Sequence, residues 1–422
     1  MFFIMFVLSL IFTGVSCSKD DMTSFNVVDF GAVDGGKTDS SQAFLEAWMA
    51  ACNGEIAHVT SQVIVPEKMS FLVNPVTFSG PCKVKNINFL VFGTIIAPDS
   101  PSNWDEQDAS EWVVFKTVSR LMVGGLGTID GRGKGWWDQS CRGNPESKGC
   151  TKLAPTALKF LSCNDSSLRN IFITNSPQTH VLLHWSYGFV IDYVNIQSPE
   201  SSPNTDGIHI HASHHLAITN SRIGSGDDCI SVGDYVSYLD IVNIYCGPGH
   251  GISIGSLGSS GNVVQVENIR VINAILNRTT NGARIKTWQM GRGHVRGVTF
   301  ENMRFISVKY PIIIDQNYCD IRGKCKELDT GVQISQVLYR GMYGTSFTDA
   351  AIVLNCSRVV PCYGISMEYI RLTPAITERR VTAECGNAYG QEFEVEPGPC
   401  LVQIKDGYKG AKSMAASPNI SK

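Results

Sequence analysis

Apolar and polar residues alternate through most of the middle of the chain, in short runs that end in Gly, Asn, Ser or Pro. Typical runs are LRNIFITNSP, FVIDYVNIQSP, HLAITNSRIGSGDD, YLDIVNIYCGPGH and RGVTFENMRFISV. Alternation with a period of two residues indicates β-strands with one buried face. Equivalent runs recur at irregular intervals of roughly 21 to 32 residues, as in solenoids whose coils bury their apolar faces by stacking. With its many asparagines, the pattern predicts an all-β, single-domain right-handed parallel β-helix.

A β-sandwich is the alternative fold, but it would join its strands by hairpin turns of about two to five residues, which are shorter than these open coils. One segment departs from the strand pattern. The run DSSQAFLEAWMAAC, from Asp39 to Cys52, is predicted to be a short helix capped by Asp39 or Ser40. We expect it to cover the apolar N-terminal end of the solenoid. Its predicted apolar face consists of Phe44, Leu45, Trp48 and Met49.

The two ends of the chain have a different composition from the middle. An apolar stretch over Phe2–Phe12 precedes small residues and then charged ones, which predicts a secretory signal peptide at residues 1–17. A membrane anchor is the alternative, but the stretch is short for a bilayer span. The β-helix domain is then expected over residues 18–405, and residues 406–422 are expected to be a disordered tail.

Composition narrows the class of function. The 422 residues are 43% hydrophobic and 17% charged, include 40 glycines, and carry a formal net charge of −3. This composition favours a turn-rich β protein, and the absence of an overall basic field argues against nucleic acid as a partner. An acidic polymer can still bind where positive charge is concentrated locally.

Fourteen cysteines in a secreted chain imply disulfide bonds. Proximity in the sequence suggests the pairs Cys52–Cys82, Cys141–Cys150, Cys229–Cys246, Cys319–Cys325, Cys356–Cys362 and Cys385–Cys400. Cys163 is left over, as a buried thiol in a strand. No cysteine or histidine group has zinc spacing, and neither a metal nor another cofactor is predicted. Glycosylation sequons occur at Asn164, Asn277, Asn355 and Asn419.

Polar residues recur about one coil apart along the central runs. Stacked coils place equivalent residues about 4.8 Å apart along the axis, so sequence spacing becomes a line of side chains. In chain order, the recurring groups are Asp206 in NTDG, Asp227 and Asp228 in GSGDDC, His250 in GPGHG, and Arg284 and Lys286 in ARIK. Each motif alone is compatible with an ordinary turn or strand surface. Their shared period predicts one polar cluster on one face.

The group types in this cluster indicate glycoside hydrolysis. That reaction needs a carboxylic acid to protonate the leaving oxygen and a carboxylate to activate water or to attack the sugar. Three neighbouring aspartates cannot all ionise easily, so repulsion should raise the pKa of one of them and retain a proton. The nearby cations Arg284 and Lys286 would bind a carboxylated sugar. The sequence therefore predicts an acidic polysaccharide as substrate.

Four segments, SPNTDGIHI, GSGDDCISVG, CGPGHGISIGSLG and NGARIKTW, resemble the signature segments of plant-like polygalacturonases, which are family 28 glycoside hydrolases. FNVVDFGAVDGGKTD, GTIDGRGKGWW and YPIIIDQNYC extend the resemblance to roughly residues 25–400. It implies a right-handed parallel β-helix that hydrolyses α-1,4-galacturonosyl linkages of de-esterified pectin (homogalacturonan) with inversion and without a metal. It also fits a secreted, monomeric cell-wall enzyme.

The resemblance also implies roles for individual residues. Asp227 corresponds to the proton donor, Asp206 and Asp228 to the pair that holds the attacking water, and His250 to a residue that supports the acid. The substrate-binding residues that it implies are Arg284, Lys286, Tyr318 and Asn204. Two small departures, Ser225 for a common threonine and Ala283 for a common valine or leucine, remove no group that the chemistry needs.

One tension and three alternatives stay open at this point. Stacked aspartates about 5 Å apart have the spacing of a retaining enzyme, whereas the resemblance implies inversion. The alternative functions are a pectate lyase, a rhamnogalacturonan hydrolase and a non-catalytic pectin-binding protein. Whether cleavage is internal or from the chain end depends on loops that the pattern does not describe.

Overall fold

The computed structural model describes residues 22–54, 60–104, 108–141, 153–319, 325 and 328–403. The predicted signal peptide, the predicted tail and the sequon at Asn419 lie outside these residues, so the domain limits stay predictions. Within the described part, no helix is long and apolar enough to cross a lipid bilayer.

Strands dominate the described chain. The helices are α1 (Ser41–Cys52) and α2 (Lys134–Asp138), with 3-10 turns at Val27–Phe30 and Pro101–Trp104. The strands are β1 (Met22–Asn26), β2 (Thr60–Val65), β3 (Ser70–Leu72), β4 (Val76–Ser79), β5 (Asn86–Val91), β6 (Thr94–Ile96), β7 (Glu111–Lys116), β8 (Leu121–Gly124), β9 (Thr128–Asp130), β10 (Thr156–Leu161), β11 (Ser167–Thr174), β12 (Val181–His184), β13 (Val190–Gln197), β14 (Ile208–His211), β15 (His214–Thr219), β16 (Arg222–Gly224), β17 (Ile230–Val232), β18 (Val236–Cys246), β19 (Ile252–Leu257), β20 (Val263–Asn277), β21 (Asn281–Thr287), β22 (Arg292–Val308), β23 (Tyr310–Asp315), β24 (Gln333–Ser346), β25 (Ala350–Asn355), β26 (Cys362–Pro374), β27 (Thr382–Gly386) and β28 (Ala388–Glu396).

Successive coils pair in parallel. In the first sheet each strand pairs with the next in the order β4, β7, β10, β12, β14, β17, β19, β21, β23, β25, β27. The remaining strands form the second sheet, where β18, β20, β22, β24, β26 and β28 follow one another in the same way. Short hairpins would give antiparallel pairs. The parallel pairing in the described residues confirms a β-helix rather than a β-sandwich.

In the first sheet, side chains alternate along each strand between the core and the outer face. One line of residues in register points inward and is fully buried: Ile208, Ile230, Ile252, Ala283, Ile312 and Ile352. The adjacent line in register points outward: His209, Ser231, Ser253, Arg284, Ile313 and Val353. Because successive side chains on a strand face opposite ways, burial of the first line fixes the outward direction of the second.

Asparagines stabilise one bend of the coils. Asn220, Asn243 and Asn273 have positive φ angles of 49°, 58° and 58°, a backbone region that asparagine tolerates better than most residues. The Asn243 Nδ2 donates to Asn220 Oδ1 at 3.0 Å, and the Asn273 Nδ2 donates to Asn243 Oδ1 at 3.3 Å. Stacked amides at equivalent bends therefore explain why asparagine recurs at this position of successive coils.

Helix α1 lies where the N-terminal helix was predicted and begins two residues later. Ser41 N donates to Asp39 Oδ1 at 3.0 Å, so Asp39 provides the capping oxygen. Trp48 is buried, with its ring 5.3 Å from that of Phe78. The expectation that Met49 belongs to the apolar face was wrong, because that side chain is 49% exposed. It lies one residue, about 100°, round the helix from Trp48.

The cysteine pairs follow the predicted scheme wherever both partners are described. The disulfides are Cys52–Cys82, Cys229–Cys246, Cys319–Cys325, Cys356–Cys362 and Cys385–Cys400. Cys163 is buried and has no disulfide partner among the described residues. Cys150, the expected partner of Cys141, lies outside them.

Candidate active site

A cleft of about 900 Å³ runs along the outer face of the first sheet. All eight residues that the sequence suggested for catalysis or substrate binding line it: Asn204, Asp206, Asp227, Asp228, His250, Arg284, Lys286 and Tyr318. The tertiary structure therefore brings together residues spread over more than a hundred positions of the chain.

The β-helix register places the acidic groups on consecutive coils. Asp206, Asp228 and His250 each lie two residues before a strand of the first sheet, namely β14, β17 and β19. The Gly207 N donates to Asp228 O at 2.9 Å, which continues the parallel ladder outside the strands. Because neighbouring coils are about 4.8 Å apart, these three residues form a line along the axis.

Asp227 is held by the residue after it and by the next coil. The Asp228 N donates to Asp227 Oδ1 at 2.9 Å, and His250 Nδ1 lies 2.8 Å from the same oxygen. The His250 N donates to the Asp227 carbonyl at 2.7 Å. Gly251 has a φ of +93°, and a Cβ there would collide with the Asn281 carbonyl oxygen. Glycine therefore lets the chain turn sharply beside His250 and bring its imidazole onto Asp227.

Asp228 is the most enclosed of the three carboxylates, with a side chain only 3% exposed. The Ser253 Oγ donates to its Oδ1 at 2.7 Å, and Lys286 Nζ donates to its Oδ2 at 2.8 Å. Arg284 Nη1 lies 3.9 Å from Oδ1. Two cations and a hydroxyl thus compensate a buried negative charge, which would otherwise be costly. Lys286 therefore neutralises the buried Asp228 carboxylate and also lines the cleft.

Asp206 is more difficult to ionise than a free aspartate. Burial raises the pKa of Asp206 well above its usual value, and the negative charges of Asp227 and Asp228 raise it further. One hydrogen bond favours the ionised form, because Ser231 Oγ donates to Asp206 Oδ2 at 2.6 Å. The raised pKa expected within the aspartate cluster is thus found on Asp206, one of the residues expected to hold water.

Two residues behind Asp206 were not suggested by the sequence. The His209 Nδ1 lies 2.7 Å from Ser231 Oγ, which in turn donates to Asp206. Burial lowers the pKa of His209 to about 4, so its imidazole is neutral near neutral pH. His209 is an outward residue of the strand after Asp206, and Ser231 is an outward residue of the strand after Asp228. The alternation of each strand could have identified them.

The cations are arranged around one aromatic ring. Arg284 Cζ lies 5.7 Å and Lys286 Nζ 5.6 Å from the ring centre of Tyr318, and the Trp288 ring meets Tyr318 edge-on at 5.3 Å. Among the described residues, the buried Nε of Arg284 has no hydrogen-bond partner. A buried donor without a partner is unfavourable unless a ligand satisfies it.

Beyond the cations the cleft contains Asp315 and Asn355, neither of which was suggested as a substrate contact. Burial raises the pKa of Asp315, and Asn355 Nδ2 donates to its Oδ1 at 3.0 Å.

Asn355 is also a predicted glycosylation site, and a glycan there would occupy the cleft. The side chains of the sequons at Asn164 and Asn277 bond to Tyr187 N and Tyr245 Oη. Glycosylation stays a prediction at each sequon.

One group of side chains has the proximity that a metal site needs. Single ligand atoms of Asp227, Asp228 and His250 lie within 4.8 Å of one another. The Lys286 ammonium, 2.8 Å from Asp228, opposes a divalent cation at this place by charge repulsion. These residues therefore suit proton transfer better than metal binding.

Residues 56–392 match the family model described as glycosyl hydrolases family 28. The chain belongs to glycosyl hydrolase family 28. It is 41% identical to a polygalacturonase of Malus domestica over 381 residues, which cover 90% of this chain and 80% of that protein. It is also 41% identical to polygalacturonase-2 of Solanum lycopersicum over 389 residues, or 92% of this chain and 83% of that one.

Solved structures agree with the fold of this family 28 chain. The endo-xylogalacturonan hydrolase of Aspergillus tubingensis superposes with a TM-score of 0.74 at 21% identity, covering 90% of this chain and all of that one. The polygalacturonase of Erwinia carotovora gives 0.70 at 22% identity, with coverages of 87% and 96%. These similarities confirm the predicted right-handed parallel β-helix.

Proposed function

We propose that this family 28 glycosyl hydrolase cleaves the α-1,4-galacturonosyl linkages of polygalacturonan, the de-esterified part of pectin. The observation that carries the proposal is the single cleft in which three aspartates and His250 lie beside Arg284, Lys286 and Tyr318. The carboxyl groups provide acid and base, and the cations provide recognition of a uronate. The relatives named as polygalacturonases support the same substrate.

Asp227 is the proposed proton donor. Its Oδ1 accepts from Asp228 N and contacts His250 Nδ1, so the carboxyl group has a fixed orientation toward the cleft. In the reaction, the carboxyl proton passes to the glycosidic oxygen as the bond from that oxygen to the anomeric carbon breaks. His250 then acts as a positioning residue that controls the protonation of Asp227.

Asp206 and Asp228 are proposed to hold the attacking water. The water oxygen bonds to the anomeric carbon while one of its protons passes to a carboxylate, so this pair must be ionised when the substrate reacts. Lys286 supports the ionised Asp228 directly, and Ser231 supports the ionised Asp206. Three carboxyl groups can enclose a water that two could not, and we therefore propose inversion at the anomeric carbon.

Arg284 is the proposed anchor for the substrate carboxylate. Its Nε needs an acceptor, and its guanidinium lies over Tyr318 on a wall that a sugar ring can contact. Lys286 adds positive charge at the same place, while Asn204 is proposed as a polar contact at the other side of the aspartates. A methyl ester would remove the charge that this arrangement recognises.

Substitution of the proposed acid tests the reaction. Asp227→Asn should keep the fold and lower the release of reducing ends from polygalacturonate by about 10²–10⁴-fold, the usual contribution of a general acid. Asp240→Asn is the matched control, because Asp240 lies on the surface in an exposed ion pair with Arg270. Wild-type turnover in Asp227→Asn would exclude Asp227 as the proton donor.

The same assay separates the alternatives. A pectate lyase would give an unsaturated product that absorbs in the near ultraviolet, and a chelator would stop it. A pectin-binding protein would release no reducing ends, and a rhamnogalacturonan hydrolase would prefer the mixed polymer over polygalacturonate.

Proton NMR of fresh product should show the inverted anomer, and the retained anomer would contradict the proposed role of the aspartate pair.

We also propose that the protein is secreted to the cell wall and acts there as a monomer. The predicted signal peptide and the disulfides of the described residues, such as Cys229–Cys246, support an oxidising compartment.

Sizing early products from a long oligogalacturonate would distinguish internal cleavage from release at a chain end.

A further inference from the structure

Two histidines continue the outer face of the first sheet on the N-terminal side of the aspartates. His184 on β12 pairs in register with His211 on β14, and their ring centres lie 5.0 Å apart. His211 follows His209, a residue of the cleft, by two positions and therefore points to the same side. A Cβ on Gly233, another cleft residue, would lie 3.1 Å from His211 Nδ1. The two imidazoles thus lie next to the cleft, on its N-terminal side.

Within the part of the chain that the structure describes, neither imidazole is paired with an acidic side chain. Among the described residues, no side-chain hydrogen bond is formed by His184 or His211, and both side chains are only half-buried. The His184 ring is stacked on Trp185 with centres 4.0 Å apart and an angle of 23°. Trp185 is itself 63% exposed. The ring nitrogens are therefore oriented by packing and remain able to meet a ligand.

The charged side chains near this pair are Lys159 and Glu111, which form an ion pair with each other. Lys159 on β10 lies opposite Leu182, two residues before His184 on β12. Its Nζ contacts Ser110 Oγ at 3.0 Å and Glu111 on β7 at 3.4 Å. From β14, His209 is the other titratable neighbour, and it is neutral. Burial lowers the pKa of His184, and the positive charges of His211 and Lys159 lower it further. Glu111 is the acidic neighbour, and it is already paired with Lys159.

We propose that His184 and His211 form a second carboxylate-binding subsite, on the opposite side of the aspartates from Arg284 and Lys286. This inference rests on the proposed function, because it needs a polymer with carboxylates on both sides of the cleaved bond. A polyuronate bound along the first sheet would place one carboxylate near Arg284 and another over the histidine pair.

Binding at such a subsite must be linked to protons. A bound carboxylate favours the charged imidazole, so the complex takes up protons that the unbound protein lacks. Affinity should therefore be higher at low pH than at high pH. Exposed Trp185, next to the pair, offers an apolar face to the adjoining sugar ring.

The test uses the inactive Asp227→Asn protein, so that binding is measured without turnover. Calorimetry with a defined oligogalacturonate, in two buffers of different ionisation enthalpy, gives both Kd and the number of protons taken up. Adding His184→Gln and His211→Gln should weaken binding about tenfold at about pH 5 and reduce the proton uptake. The Kd of the parent should rise more steeply with pH than that of the histidine variant, because Asp206, whose pKa is also raised, remains in both proteins.

The control is His214→Gln in the same background, since His214 is exposed and bonded to Ser237 rather than to the cleft. It should bind like the parent, and a fully methyl-esterified oligomer should show no difference among the proteins. Equal affinity and equal proton uptake in parent and histidine variant would overturn the subsite. Hydrolysis of polygalacturonate by the wild type is measured first and tests the proposed function separately; if it fails, the function falls irrespective of the histidines.

Discussion

At the scale of single residues, Asp206 is a group whose ionisation lowers the stability of the fold but is needed for the proposed reaction. Its carboxyl group is enclosed near two other carboxyl groups, and the raised pKa of Asp206 records the cost of ionising it there. Ser231 and, behind it, His209 oppose that cost by hydrogen bonding. The proposed mechanism nevertheless needs Asp206 in its charged form.

Asp206→Asn should stabilise the protein near neutral pH while removing activity. Because the folded protein has the higher pKa, Asp206 contributes most to stability below its unfolded pKa, and that contribution is lost as pH rises through the folded pKa. The neutral amide does not suffer this loss. The thermal midpoint of the variant should therefore exceed that of the wild type at pH 7, with a gap that narrows toward the ordinary pKa of 3.8.

Asp240→Asn serves again as the control, because Asp240 is exposed and salt-bridged. An Asp206→Asn protein with an unchanged midpoint at pH 7 would mean that other groups already neutralise this carboxylate.

Ser231→Ala should shift the acidic limb of the pH–activity profile upward. Removing the hydroxyl removes a donor to the ionised carboxylate, so the pKa of Asp206 should rise further and activity should disappear at a higher pH on acidification. kcat and KM measured across the acidic range check this expectation, with Ser237→Ala as the control, because the Ser237 hydroxyl bonds to His214 on the second sheet. An unmoved limb would show that Asp206 does not control it.

At the scale of elements, the register of β14, β17 and β19 determines which side chains meet. The inward isoleucines lock this register, since a slip of one residue would turn each outward group into the core. The Cys229–Cys246 disulfide joins the turn after Asp228 to the end of β18, with Cα atoms 5.9 Å apart. Its covalent link fixes the residue next to the proposed catalytic pair.

Replacing both cysteines with Cys229→Ser and Cys246→Ser should lower the free energy of unfolding by about 3 kcal/mol, as expected for a loop of this length. Activity at moderate temperature should also fall, because Asp228 adjoins Cys229. Denaturant unfolding beside Cys356→Ser and Cys362→Ser, which removes a disulfide outside the aspartate coils, distinguishes the two effects. Equal losses of activity in both double variants would indicate general destabilisation.

At the scale of the whole molecule, positive charge is distributed unevenly. The chain has a formal net charge of −3, yet the cleft gathers Arg284 and Lys286 on one side of the aspartates. Local charge rather than net charge therefore sets the preference for an acidic polymer.

Arg284→Gln should lower kcat/KM on polygalacturonate by about ten- to hundredfold, the size of a charge-assisted contact, with a much smaller effect on highly esterified pectin. Lys286 is a poorer probe, because its removal would also leave Asp228 buried without its ammonium partner. The measurement is kcat/KM on both substrates, for the wild type, for Arg284→Gln and for the exposed control variant Arg270→Gln. Equal losses on both substrates would assign Arg284 a structural role instead.

The sequence by itself determined the coil pattern, the helix α1, the disulfides of the described residues and the shared face of Asp206, Asp227, Asp228, His250, Arg284 and Lys286. These follow from periods and spacings, because parallel stacking converts an interval along the chain into a fixed distance. Asn204 and Tyr318 followed only from the family resemblance, and His209, Ser231, Asp315 and Asn355 were found only in the structure. Met49 departed from expectation because helical periodicity alone does not define how wide the packed stripe is.

Only the tertiary structure decided how charge is shared within the cleft. Spacing predicts that Asp206, Asp227 and Asp228 are neighbours, but burial and donors differ at each, and these set which carboxyl group is difficult to ionise. The pairing of Lys286 with Asp228, the position of Ser231 behind Asp206 and the contact between His184 and His211 all join different coils. Such contacts depend on side-chain packing across the stack, which no single run of the sequence contains.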